Sequence, residues 1–71
     1  MKLTDVLSSD PEIVSGAVVF KGTRVPVSAF FDNLAAGLPL VEVLNNYPSI
    51  GRDRAEAVLM LALENVEQQF A

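Results

Sequence analysis

Residues 18–31, VVFKGTRVPVSAFF, constrain the fold more than any other segment of the chain. The β-branched and aromatic residues at 17–20 predict a short strand. Gly22 predicts a tight turn after it, because glycine adopts positive φ at little steric cost. Pro26 disfavours helical geometry at the residue before it, which predicts a second extended piece. We therefore expect two short extended pieces joined by a turn, and helices after them.

Local signals predict three helices beyond this turn. Ser28 is a candidate N-cap for the first helix, and Asp32 lies early in it, where a carboxylate favours the positive end of the helix dipole. Gly37 is expected to end this helix. Pro39 is expected to open the second helix, which stops before Pro48.

The third predicted helix runs from about residue 52 to the end of the sequence and is apolar around most of its circumference. One face repeats with helical period and consists of Ala55, Val58, Leu59, Ala62, Val66 and Phe70. Further apolar residues outside that face are Ala57, Met60, Leu61 and Leu63. A helix that is apolar nearly all round must be buried nearly all round, which the short helical segments before it cannot achieve. We therefore expect a homodimer that joins through this helix, the extended arm or both. Leu61→Glu or Leu63→Glu is expected to weaken this dimer.

These elements predict a mainly α protein, with a three-helix bundle preceded by a short extended arm or β-hairpin. One domain over residues 1–71 is expected, with the arm at 1–27 and the bundle at 28–71. Residues 1–16 are expected to be irregular apart from one helical turn at 11–14.

Composition argues against several classes of protein. The 71 residues include neither Cys nor His, so disulfides, thiolate metal sites and the commonest catalytic bases and nucleophiles are missing. Asp5, Asp10 and Glu12 are close in sequence, but nothing orients them, and we interpret them as solvated surface. We expect no enzymatic activity, metal, cofactor or small-molecule ligand. No segment reaches the roughly 18 apolar residues of a membrane span, and no signal-peptide pattern opens the chain, so a cytoplasmic location is expected.

The charge balance bears on nucleic-acid binding. Five Lys and Arg stand against nine Asp and Glu, for a formal net charge of −4. Affinity for duplex DNA depends on basic side chains that neutralise phosphates. We expect weak DNA binding by the isolated chain. The aromatic residues are expected in the core rather than on a base-stacking surface; they are Phe20, Phe30, Phe31 and Tyr47.

A family resemblance rests on residues 11–62, PEIVSGAVVFKGTRVPVSAFFDNLAAGLPLVEVLNNYPSIGRDRAEAVLMLA. This segment resembles the small bacterial family called domain of unknown function 433, and the GTRVPV turn at 22–27 is the most specific part of the match. The family is similar to homeodomain-like helix-turn-helix proteins, and its members often look like VapB-type antitoxins with a PIN-like nuclease partner. The resemblance implies a toxin-neutralising or regulatory binding protein of bacterial origin.

One departure from the family pattern concerns the start of the last helix. The family commonly has a Thr or Ser cap there, followed by acidic residues. Here Gly51 takes the cap position, and Arg52 and Arg54 flank Asp53. Arginines at a helix N-terminus oppose the helix dipole, which favours a role in binding a partner over a role in helix stability.

The turn at 22–27 contains the first candidate site residues. Gly22, Thr23 and Pro26 are interpreted as structural residues of the turn. Two roles are considered for Arg24: it forms a salt bridge inside the fold or dimer, or it binds a carboxylate on a partner.

The leading functional hypothesis is a PIN-type ribonuclease antitoxin that covers a cationic or metal-bearing site with Glu64, Glu67 and Phe70. The alternative is a helix-turn-helix DNA-binding regulator that uses Arg52 and Arg54. A third hypothesis is an interaction module without an enzyme partner.

Overall fold

The protein is mainly α-helical, with one small antiparallel sheet near its N-terminus. The computed structural model describes residues 2–9 and 16–70, and these form four helices and two strands. In chain order they are α1 (Leu3–Val6), β1 (Leu7–Ser9), β2 (Val18–Phe20), α2 (Val27–Ala35), α3 (Leu40–Asn46) and α4 (Arg52–Phe70).

The sheet confirms the predicted strand at 17–20 and corrects the prediction for its partner. β2 pairs with β1 in an antiparallel register that sets Leu7 opposite Phe20. The predicted second extended piece contributes only a single bridge, from Pro26 to Val19. The prediction of an irregular lead-in was therefore wrong for residues 3–9. A three-residue strand has no readable period of its own, and β1 is extended because β2 pairs with it.

A short helix also precedes β1. The carboxylate of Asp5 accepts a hydrogen bond of 2.9 Å from the Lys2 backbone N–H, which caps the first turn of α1. The predicted helical turn at 11–14 lies outside the described residues.

α2 begins two residues earlier than the candidate cap predicts. Pro26 occupies the N-cap position and Val27 is the first helical residue, so the assignment of Ser28 as N-cap was wrong. Pro26 itself is extended, with a ψ of 140°, and helical geometry begins at the residue after it. The first turn contains no acidic residue, and Asp32 lies beyond it. The predicted end is confirmed, because Gly37 has a φ of 97° and donates its N–H to the Leu34 carbonyl.

The limits of the last two helices match the sequence signals. Pro39 stands at the N-cap of α3, and Tyr47 is its C-cap. Gly51 precedes α4 with a φ of 78°, and its carbonyl accepts the N–H of Ala55.

Every helix and strand except β1 contributes a buried side chain to one hydrophobic core. Its buried residues are Val6, Phe20, Phe30, Val43, Ile50, Ala55 and Val58. Phe20 and Phe30 meet edge to face, with ring centroids 5.5 Å apart. The core role of the four aromatic residues is confirmed, since Phe31 and Tyr47 pack against this cluster. Among the helices at 2–9 and 16–70, none has the length and apolar content needed to cross a membrane.

Candidate functional site

The turn after β2 is built as its sequence predicts. Gly22 has a φ of 77°, and no atom lies within 4 Å of the position that a Cβ would take. The backbone conformation alone therefore requires glycine here. The Thr23 hydroxyl donates to the Phe20 carbonyl at 2.8 Å and accepts from the Val25 N–H at 3.0 Å. The hydroxyl thus satisfies backbone groups on both sides of the turn.

Arg24 projects from this turn into solvent. Its side chain is exposed, and it forms no salt bridge with a carboxylate in the described parts of the chain. A contact with another molecule therefore stays a prediction for this residue.

Lys21 joins the turn to α1 and to α4 through its backbone and its amine. Its N–H donates to the Val6 carbonyl at 2.8 Å, and its amine donates to the Thr4 carbonyl at 3.3 Å. Its own carbonyl accepts a hydrogen bond from the guanidinium of Arg54, 33 residues further along the chain. The start of α4 is therefore fastened to the turn.

The two arginines of α4 have different surroundings. Arg54 is half-buried and is held by the Lys21 carbonyl. Arg52 lies 3.8 Å from Glu56, one helical turn away, and both side chains are more than half exposed. Exposed pairs of this kind contribute only a few tenths of a kcal/mol. Arg52 is thus accessible to a partner, whereas Arg54 has a structural role that no local sequence signal indicates.

The second half of α4 leaves the core. Every residue from 63 to 70 is exposed, including Glu64 and Glu67, and Phe70 is 94% exposed. The last turn contains no basic residue. The predicted contact residues Glu64, Glu67 and Phe70 therefore lie on one accessible helical segment. Arg24, the fourth predicted contact residue, lies on a different element.

The carboxylates of α4 share a face of the helix. We call this the acidic face, and its residues are Asp53, Glu56, Met60, Glu64 and Glu67. Their spacings of three, four, four and three residues keep them on one side of a helix. A shallow cavity of about 270 Å³ runs along it, lined in part by Asp53, Glu56, Met60 and Glu64. Phe70 lies around the helix from this face, towards Leu63 and Val66.

Leu61 and Leu63 were predicted to have the same role in a dimer, but they occupy different environments. Leu61 packs against the core and lines a groove of about 400 Å³ beside α1 and α2. Leu63 is 50% exposed. A charge at Leu61 would therefore disturb folding, whereas a charge at Leu63 tests association alone.

Within the described ranges, no three acidic side chains lie close enough together to hold a metal ion. Of the acidic residues near the N-terminus, Asp5 caps α1, while Asp10 and Glu12 fall outside those ranges.

Comparison with known proteins gives a family match over most of the chain. The model of a family described as a protein of unknown function, DUF433, matches residues 7–62. The chain is also similar to the uncharacterized protein y4eO of Sinorhizobium fredii, with 31% identity over 61 residues. The aligned part covers 86% of this chain and 28% of that protein, so the chain spans under a third of its relative's length. No solved structure matches the chain.

Proposed function

Because the chain belongs to the DUF433 family of proteins of unknown function, we propose a role from its own surface. The chain is a non-catalytic binding protein, and the acidic face of α4 docks onto a basic surface of a partner protein. The absence of His and Cys from the sequence supports a non-catalytic role, since these are the commonest catalytic bases and nucleophiles.

The exposed pair Glu64 and Glu67 is the observation that carries this proposal. Both lie in the second half of α4, and Glu67 lies in the last turn, where the helix dipole is negative and a carboxylate is unfavourable. Neither forms a salt bridge with a cation among residues 2–9 and 16–70. Two exposed glutamates without an internal partner, one of which opposes the helix dipole, suit cations on another molecule, where charge complementarity speeds association and selects the partner.

The specific partner we propose is a PIN-type ribonuclease, as the family resemblance implies, with this chain as its antitoxin. Helix α4 would lie across a cationic or metal-bearing site of the nuclease and block access of RNA. A helix that projects from a small core is suited to this, since helix-in-groove binding needs an accessible helical face. The complex would form in the cytoplasm.

The proposal is tested with a purified PIN-type ribonuclease encoded beside this chain's gene. We expect Glu64→Gln with Glu67→Gln to weaken inhibition and binding at least about tenfold, since each lost charged contact is worth roughly 1 kcal/mol or more. Glu42→Gln on α3 is the matched control, because Glu42 is also exposed but lies outside the acidic face. Equal inhibition by the double variant and the wild type would refute this role for α4.

DNA binding of helix-turn-helix type is the second proposal, and the exposure of Arg52 at the start of α4 favours it. The engagement of Arg54 with Lys21 and the net charge of −4 weigh against it. An anisotropy titration with the chain's own promoter separates the two proposals. Tight binding whose salt dependence falls in Arg52→Ala would support the DNA-binding proposal over the acidic-face proposal.

A further inference from the structure

Two cavities beside α4 adjoin each other. One is the groove next to α1 and α2, and the other runs along the acidic face. Leu61 and Glu64 line both of them. These two residues are three positions apart and are therefore neighbours on the helix surface. One ligand can thus reach the apolar groove and the acidic face together.

The groove has an apolar floor to which four elements contribute. Its apolar lining residues include Leu3 of α1, Leu7 of β1, Val27 and Phe31 of α2, and Leu61 and Ala62 of α4. Its polar lining residues, Glu64, Asn65 and Gln68, all lie in the second half of α4. Its volume of about 400 Å³ is within the range of about 300–1,000 Å³ that is typical of binding clefts. The groove therefore combines an apolar surface with a few polar groups from one segment.

The charge around the two cavities is negative. Among the described residues that line them, Asp53, Glu56 and Glu64 are charged, and none is Lys or Arg. Glu56 lies 3.8 Å from Arg52, whereas Glu64 forms no salt bridge with a cation in residues 2–9 and 16–70. An apolar groove bordered by an unpaired carboxylate is complementary to a ligand that carries both apolar side chains and a cation.

We propose that the groove and the acidic face together bind one amphipathic, basic helix of a partner protein. Apolar side chains from one face of that helix fill the groove, and a neighbouring Lys or Arg pairs with Glu64. Amphipathic helices are recognised in this way by apolar grooves of other proteins. The inference rests on the proposed function, because it specifies the chemistry of the partner that docks on the acidic face.

Charge argues against a helix from a second copy of this chain as the occupant. The large apolar residues exposed on α3 and α4 all lie within four positions of a glutamate; they are Val41, Met60, Leu63, Val66 and Phe70. Any of them in the groove would bring a carboxylate towards Glu64. Leu3, which follows Lys2 on α1, already lines the groove. A partner with basic residues is therefore the better match.

Three variants separate the groove, its charge and the rest of the surface. Ala62→Trp places a large side chain in the groove, since Ala62 is half-buried and lines it. Ala35→Trp on α2 is the matched control, because Ala35 is exposed and lines neither cavity. Glu64→Lys reverses the charge at an exposed position, so it leaves the core intact and decides the test if Ala62→Trp fails to fold.

Fluorescence anisotropy with two labelled helical peptides tests the occupant. One peptide has Leu along one helical face and Lys elsewhere, and the other has the same Leu residues with Glu in place of Lys. We expect the Lys peptide to bind the wild type and Ala35→Trp equally, and to bind Ala62→Trp and Glu64→Lys at least about tenfold more weakly. No binding to the wild type, equal binding of the Glu peptide, or unchanged binding by a folded Ala62→Trp or by Glu64→Lys would overturn the inference.

The nuclease assay distinguishes a failure of this inference from a failure of the proposed function. If the groove takes part, Ala62→Trp weakens inhibition while Ala35→Trp does not. Full inhibition by Ala62→Trp, together with weakened inhibition by Glu64→Gln with Glu67→Gln, would refute the role of the groove and leave that of the acidic face. Binding of the Lys peptide to the groove does not require the nuclease, so it can be observed even if the nuclease is not the partner.

Discussion

The two halves of α4 differ in their surroundings although one continuous helix contains both. In residues 52–62, Ala55 and Val58 are buried and Arg54 is hydrogen-bonded to the turn after β2. In residues 63–70 every side chain is exposed, although this half contains Leu63, Val66 and Phe70. Apolar character alone therefore does not decide which part of a helix is buried.

The length of the helix explains the difference. At 19 residues, α4 extends about 28 Å, whereas α2 and α3 have nine and seven residues. α1, which packs most closely against α4, has only four residues, and the shared core reaches only the first half of α4. The second half has the same propensity to be helical but no layer against which to pack. An apolar surface that no other element of the same chain covers is suited to binding another molecule.

The largest expected effect comes from placing the same charge in each half. Val58→Asp should unfold the protein, because a buried carboxylate without a partner costs several kcal/mol, comparable to the total stability of a domain of this size. Val66→Asp should change the free energy of unfolding by less than about 0.5 kcal/mol when the chain is monomeric. Denaturant titration followed by circular dichroism, at concentrations below dimer formation, measures both. Comparable losses of stability in the two variants would contradict the division of α4 into a packed and an unpacked half.

A smaller effect is expected from the two arginines at the start of the packed half. Arg54→Ala should lower the free energy of unfolding by about 1 kcal/mol, because it removes a charged hydrogen bond to the Lys21 carbonyl that water partly replaces. Arg52→Ala should cost at most a few tenths of a kcal/mol, because its pair with Glu56 is exposed and 3.8 Å apart. Urea titrations of both variants give the comparison. A larger loss of stability in Arg52→Ala than in Arg54→Ala would show that the hydrogen bond from Arg54 to the turn is weaker than the pair of Arg52 with Glu56.

An effect of the opposite sign is expected in the projecting half. Glu67→Lys should raise the free energy of unfolding by about 0.3–1 kcal/mol, because a cation near a helix C-terminus favours the dipole. The same change should reduce binding to a basic partner. Thermal melts combined with the nuclease assay report both quantities. A variant that gains stability and still inhibits fully would separate Glu67 from the partner surface.

Much of the framework follows from local signals in the sequence. Gly22 and Gly37 adopt the positive φ that their turns require, and Pro39 stands at the start of α3. The conformational limits of glycine and proline act within a few residues, so they can be read without knowledge of the fold. The start of α2 was misassigned to Ser28 because a preceding proline supplied the start instead. The candidate carboxylates Glu64 and Glu67 could also be identified from the sequence, since they lie on a strongly predicted helix.

The remaining features depend on contacts between distant residues, and only the tertiary structure decided them. β1 is a strand because Leu7 lies opposite Phe20, and nothing within its three residues indicates that pairing. Arg54 contacts a carbonyl 33 residues away, so its role depends on where the turn packs. The sequence by itself determined that α4 is helical and rich in apolar residues. Which of those residues are buried depended on how far the rest of the chain extends along the helix, because burial is a property of neighbours and not of a residue alone.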